Sequence, residues 1–97
     1  MTTPDVSVVI VNYNAGVELT RALESIAVDL GVRPWEAVIV DNASSDDSWA
    51  AVARFAPQAR VLRNEQNLGF ARGVNQGLAA TSAPDMPDAL KFSYAVG

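Results

Sequence analysis

Three polar clusters follow three apolar runs in this 97-residue sequence, and they hold most of the groups able to do specific chemistry. The first is Asn12-Tyr13-Asn14. The second is Asp41-Asn42-Ala43-Ser44-Ser45. The third contains Asn67, with Arg72 a little further on. A carboxylate such as Asp41 can accept an N–H from a heterocyclic base. Tyr13 offers a ring that packs against a base or a ribose, and Arg72 can reach a base carbonyl or a phosphate. Each residue also has an ordinary use. Asn14 has the residue type of a helix cap, and Asp41 can bond nearby loop amides. Asp46 and Asp47 suit the positive end of a helix. Arg72 can be a solvated helix residue, and Trp49 and Phe70 read as core.

Composition removes several function classes. The sequence has no Cys and no His. That excludes a disulfide framework, a zinc site and a Ser-His-Asp triad, and leaves only hard cations on carboxylates as candidate metals. Lys plus Arg is 7 against 11 for Asp plus Glu, a formal net charge of −4. With no basic cluster, nucleic acid is not an expected partner. Apolar residues make up 49%, enough for one packed domain and too many for a disordered chain. The opening residues, Met1 to Asp5, lack the basic and apolar regions of a signal peptide. The aliphatic runs Val8–Val11 and Val38–Val40 are far too short to span a bilayer. No transmembrane segment is expected, and a cytoplasmic location is the default.

The elements that must carry these clusters follow from hydrophobic spacing. Val6–Val11 is a β-branched run with almost no alternation, which suits a strand buried on both faces of a parallel sheet. Leu19, Ala22, Leu23, Ile26, Ala27 and Leu30 recur at helical spacing, with Asn14 as the expected cap, Glu18 in the first turn, and Gly31 and Pro34 as the stop. Trp35–Val40 reads as a second strand. A helix follows, capped by Ser44 or Ser45, with Trp49, Val52, Ala53 and Ala56 as its apolar stripe and Pro57 as its end. Arg60–Arg63 is a short third strand. Phe70, Val74 and Leu78 mark a third helix, whose Gly73 and Gly77 share a face that can approach the sheet closely. This βαβαβα pattern implies a doubly wound parallel sheet of order 3-2-1, with the next strand due beside strand 1. Thr81–Asp88 reads as a loop. Over Ala89–Val96, Leu90, Phe92, Tyr94 and Val96 alternate with smaller or polar residues, so a half-buried fourth strand can join beside strand 1.

In such sheets ligands bind outside the carboxyl ends of the strands, where all three polar clusters emerge. Neither GxGxxG nor a P-loop follows the first strand, which opposes an ordinary dinucleotide-binding domain and a phosphate-cradling NTPase. Asn12-Tyr13-Asn14 also lacks the paired acids of a phosphorelay receiver.

Three blocks resemble, in order and spacing, the N-terminal half of family 2 glycosyltransferases. They are Val6–Asn14, Val38–Ser48 and Asn67–Gly77, and the likeness covers roughly residues 5–80. The nearest flavour is the bacterial rhamnosyltransferase-like group that acts on surface polysaccharide. The resemblance implies an α/β, three-layer αβα Rossmann-like half-domain of the GT-A, nucleotide-diphospho-sugar transferase type. It implies transfer of a sugar from a UDP- or dTDP-sugar to an acceptor hydroxyl of an unidentified glycan, with inversion. It places Val11 and Tyr13 beside the base, Asn14 in the same loop, and Asp41 on the base with Asn42 and Ser44 shaping that turn. Asn67 and Arg72 close the nucleotide site.

The family also implies a divalent cation, Mg or Mn, held by an acidic motif after a further apolar strand. Here that position holds Thr81–Asp88, where Asp85 and Asp88 do not match and read as loop acids. No catalytic residue is assigned. The chain is therefore expected to be a single truncated domain over residues 1–97, with a divergent tail from 81, inactive alone. The alternative is a non-catalytic nucleotide-binding or self-associating module. Open strand edges and apolar faces in either case lead us to expect a homo-oligomer.

Overall fold

The computed structural model describes residues 4–82 and 90–97. Its elements run in the order β1 (Val6–Asn12), α1 (Val17–Leu30), β2 (Trp35–Asp41), a 3-10 helix (Ser48–Phe55), β3 (Ala59–Arg63), α2 (Phe70–Ala79) and β4 (Leu90–Val96). The strands form one parallel sheet in the order β3-β2-β1-β4. The tail strand thus joins beside β1, in register with Val8 opposite Phe92 and Asn12 opposite Val96. All seven residues of β1 are buried, as its unalternated apolar run requires.

Two apolar layers sandwich the sheet. On one face Val6, Val8, Ile10, Ala37 and Ile39 pack with Leu19 and Leu23 of α1 and Val52 of the 3-10 helix. On the other, Val9, Val38 and Val40 pack with Leu78. That second layer is thin because α2 lies very close to the strands. A Cβ added at Gly73 would stand 3.0 Å from Val11 Cγ2, and one added at Gly77 would land inside the shell of Val9 Cγ1. The glycine face read from the sequence is the contact face.

Several local expectations are corrected. The segment after β2 is 3-10 rather than α-helical, and its cap position is Asp47, not Ser44 or Ser45. A period of three puts Trp49, Val52 and Phe55 on one face. Val52 is buried and the two aromatic residues are half-buried, while Ala53 and Ala56 turn outward. Trp49 is therefore a half-covered residue rather than core, with the Arg63 guanidinium 4.2 Å over its ring. Phe70, at the very start of α2, is 48% exposed, so it is not core either. On β4, Val96 packs against the core but Phe92 stands 53% exposed at the sheet edge. The side chains of Leu90 and Tyr94 lie outside the described residues.

The amino end of β2 carries a buried charge. Glu36 is 3% exposed and accepts from Ser7 Oγ at 2.7 Å, from Ser82 N at 2.9 and 3.0 Å and from Ser82 Oγ at 3.0 Å. Arg60 lies 3.1 Å away and also donates to the Ala80 carbonyl at the end of α2. Burial works to raise the Glu36 carboxyl, but the bonds from Ser7, Ser82 and Arg60 outweigh it and hold it below its ordinary value.

Two outcomes follow for stability. Gly77→Ala should cost about 1–3 kcal/mol in chemical denaturation, because the added methyl must displace Val9 or lift α2. Glu36 contributes stability that is present above its unfolded value of 4.5 and is lost as pH falls through the lower folded value. Glu36→Gln should therefore be less stable than the parent at neutral pH and should lose part of the acid limb of the stability–pH curve. Parallel curves for the two proteins would show that this carboxylate does not titrate with folding.

Candidate functional site

At the carboxyl edge of the sheet, β1 and β2 end in register on Asn12 and Asp41. Both side chains are fully buried, so their polar atoms need internal partners. Asn12 Nδ2 donates to Asp41 Oδ1 at 2.7 Å, to Ser48 Oγ at 3.0 Å and to Ser44 Oγ at 3.3 Å. Ser44 returns its hydroxyl to Asp41 Oδ1 at 2.7 Å and its backbone N–H to Asp41 Oδ2 at 3.1 Å. Arg63 Nε stands 3.6 Å from that second oxygen. Asn12 Oδ1 is the one buried side-chain polar atom without a partner among the described residues. The opposite amide orientation would be worse, since the hydroxyls of Ser44 and Ser48 already donate to carboxylates.

Asn14 does not cap α1, whose cap position is Gly16 and which has no side-chain cap. With φ at 51°, it turns its side chain across to the next loop. There Asn14 Oδ1 accepts from Ser45 N at 2.7 Å, Asp46 N at 3.2 Å and Ser45 Oγ at 3.3 Å, while its own N–H donates to Ser44 Oγ at 2.9 Å. Asp46 serves two helix starts at once. It accepts from Gly16 N at 3.0 Å and from Ser48 N and Oγ at 3.1 and 2.6 Å. The Ser48 hydroxyl bond, joined by the two backbone N–H groups, holds its carboxyl below the ordinary value.

Asn42 faces the other way. Its Nδ2 donates to Gly69 O at 3.1 Å, and its Oδ1 accepts from Asn64 Nδ2 at 2.8 Å and Leu68 N at 3.5 Å. This ties the third polar loop to β2. Within that loop Asn67 Oδ1 accepts from Gly69 N at 2.8 Å, forming the turn that leads into α2.

The eight residues named from the sequence thus fall into three groups. Asn14, Asp41 and Ser44 form one buried-to-rim network, and Asn42 links it to the loop of Asn67. Val11 is 5% exposed beneath Gly73 and shapes the edge from below. Tyr13 and Arg72 are exposed at the rim. The Tyr13 backbone N–H donates to Val96 O at 3.1 Å, which fixes its main chain where β1 and β4 part. Beside Asp41 lies an open cleft of about 430 Å³ lined by Ala43, Ser44, Arg63, Asn64 and Glu65.

Sequence reading missed Ser48, Arg63, Asn64 and Gln76 as parts of this edge. Gln76 had a signal, since it adjoins Gly77 on the face that approaches the sheet; the others depend on strand register. No group of three or more His, Cys, Asp or Glu side chains gathers among the described residues. The carboxylates of Asp41 and Asp46 are already engaged. These residues do not form a divalent-cation site, and Asp85 and Asp88 lie outside the described residues. No helix among the described residues is long and apolar enough to cross a membrane.

Comparison with known proteins gives the family of the sequence that builds this edge. The family model described as glycosyl transferase family 2 matches residues 7–84. The uncharacterized protein MT1568 of Mycobacterium tuberculosis is 45% identical over 76 residues, 77% of this chain and 24% of the relative. The succinoglycan biosynthesis protein ExoO of Rhizobium meliloti is 36% identical over 78 residues, 79% and 22% of the two chains. An N-acetylglucosaminyl-diphospho-decaprenol L-rhamnosyltransferase of Mycobacterium tuberculosis is 35% identical over 72 residues, 74% and 23%. The chain spans about a quarter of the length of these relatives.

The Asn14 clamp is open to direct test. Asn14→Ala removes the bonds to Ser45 and Asp46 and leaves a Cβ at positive φ without the side-chain amide that makes Asn tolerant of that backbone, so it should cost about 2 kcal/mol in urea denaturation. Asn14→Gly loses the same bonds without the strain and should cost about 1 kcal/mol less. Equal losses would remove the backbone contribution.

Proposed function

The chain belongs to glycosyl transferase family 2, and on that premise we propose that it forms the nucleotide-binding part of an inverting transferase. That enzyme moves a sugar from a UDP- or dTDP-sugar to an acceptor hydroxyl on a glycan. The observation that carries the reading is the convergence of three polar loops on one sheet edge, stitched together by side-chain amides and hydroxyls. The work of the residues divides by exposure. Tyr13 presents its ring to the base or ribose, and Arg72, in the first turn of α2, meets a base carbonyl or a phosphate. Asp41 lies at the buried floor of the edge, where its carboxylate meets a base N–H only if the ligand takes the place of one of its present donors, while Asn42 and Ser44 hold its turn. Val11, Asn14 and Asn67 shape the surrounding loops. The names of the ExoO and rhamnosyltransferase relatives favour a role in building a bacterial polysaccharide or lipid-linked glycan. No described residue is assigned as the base that takes the acceptor proton.

Phe92 favours a second reading. It stands exposed beside an apolar groove of about 290 Å³ lined with Val6, Val8, Ile26, Asp29 and Leu30, at the open edge of β4. A self-associating module would cover this edge, and Phe92→Ser should then shift the chain toward monomer in sedimentation. A parent chain that stays monomeric at all concentrations would exclude this reading.

Calorimetric titration of UDP and dTDP, with and without manganese, tests the main reading. Binding is expected without dependence on manganese, because the described edge gathers no metal-binding carboxylates. Asp41→Ala should abolish it. Since Asp41 is also a buried anchor, Arg72→Ala is the cleaner variant: exposed, with no side-chain hydrogen bond or ion pair among the described residues, it should weaken binding about tenfold with an unchanged melting temperature. Unchanged affinity in both variants would take this edge out of nucleotide binding.

A further inference from the structure

Asn64 and Gln76 have no part in the nucleotide contacts proposed above, yet they form a closed amide pair. Gln76 Nε2 donates to Asn64 Oδ1 at 2.8 Å, and Asn64 Nδ2 donates back to Gln76 Oε1 at 2.8 Å. The same Asn64 amide nitrogen also donates to Asn42 Oδ1 at 2.8 Å. Asn42 then holds Gly69 O and Leu68 N, in the loop immediately before α2. The amide chain thus starts in the middle of α2, passes the end of β3, and returns to the start of the same helix. Its anchor to the sheet is the Asn64 backbone N–H, which donates to Asp41 O at 2.8 Å.

α2 needs such an anchor for a physical reason. Gly73 and Gly77 allow a very close approach to Val11 and Val9, but they present no side chain that could interlock with the strands. The glycine contact sets the distance of the helix, Leu78 packs on Val9, Val38 and Val40 near its end, and the amide pair adds the polar contact that fixes its roll nearer Arg72. Gln76 is one turn beyond Arg72, in i, i+4 relation. Whatever fixes the roll at Gln76 also fixes the direction in which Arg72 leaves the helix.

We propose that Gln76 and Asn64 are positioning residues for nucleoside diphosphate binding, because their amide pair fixes the roll of α2 and the loop before it. In this way they aim Arg72 at the ligand. The inference rests on the nucleotide reading of this edge. Neither residue touches the ligand. Their effect on affinity passes through Arg72, so it depends on Arg72 being present.

The test uses the whole chain, with UDP as the probe. Gln76→Met keeps the length of the side chain and removes its hydrogen bonds. It should weaken UDP binding about tenfold, and Gln76→Glu, which keeps one acceptor, should fall between. In an Arg72→Ala background Gln76→Met should cost less than about twofold, because the group it aims is gone. Hydrogen exchange at Leu68 and Gly69 should speed up in Gln76→Met, a readout independent of ligand. Parent-like affinity in Gln76→Met, or a full tenfold loss that persists without Arg72, would overturn the proposal. If the parent binds no UDP, the nucleotide reading has failed. Unchanged exchange at Leu68 and Gly69 would then also overturn the positioning role, while faster exchange would retain the ordering of the loop by the amide pair.

Discussion

Asp41 ends β2 with its carboxylate wholly shielded from water, and a charge in that position has to be met by donors. The donors come from three directions. Asn12 reaches across from β1, Ser44 folds back from the following turn, and Arg63 approaches from β3. The path of the chain after each of these strands is constrained by satisfying this one group. Removing any donor leaves a buried charge short of a partner, and such a loss costs more than the bond itself contributed. The backbone of Asp41 extends the same control to the third loop through Asn64.

The two faces of the sheet solve packing differently, and the edge inherits the difference. On the α1 face, large side chains from helix and strand interlock, so the loops after β1 and β2 rest on a firm base. On the α2 face, glycine removes bulk, and hydrogen bonds share the task of alignment with Leu78. The exposed groups Tyr13, Asn67 and Arg72 therefore stand on a floor that is largely fixed before any ligand arrives. A preformed rim spends less binding energy on ordering itself.

Much of the architecture can be read from local pattern. The unbroken β-branched run of Val8–Val11 demands two covered faces, and the alternation of strands with helical segments leaves few topologies other than 3-2-1 with β4 alongside. Gly73 and Gly77 reveal the close contact because their spacing is that of a helix face. What escapes local reading is anything decided by register or by a choice between similar periods. Trp49, Val52 and Ala53 fit an α-helical stripe, yet Trp49, Val52 and Phe55 fit a 3-10 face, and packing selects the latter. Asn14 has the type of a cap, but its partners Ser45 and Asp46 come from a distant loop brought near only when β1 and β2 align. The identity of the three polar clusters was legible; their division into buried anchors and exposed rim was not, because burial depends on what the neighbouring strands supply.

β2 carries two buried carboxylates, Glu36 near its start and Asp41 at its end, and β3 meets each with an arginine. Their positions in the strand differ by an odd number, so they emerge on opposite faces. Arg60 and Arg63 differ by an odd number too, and match them face for face. β3 has only five residues and a single neighbour, the situation in which a strand can slide along its partner. A slide by one residue would turn both arginines to the faces opposite their acids. The paired charges thus act as a key cut at both ends, rejecting the alignments of the border strand that lie one residue to either side.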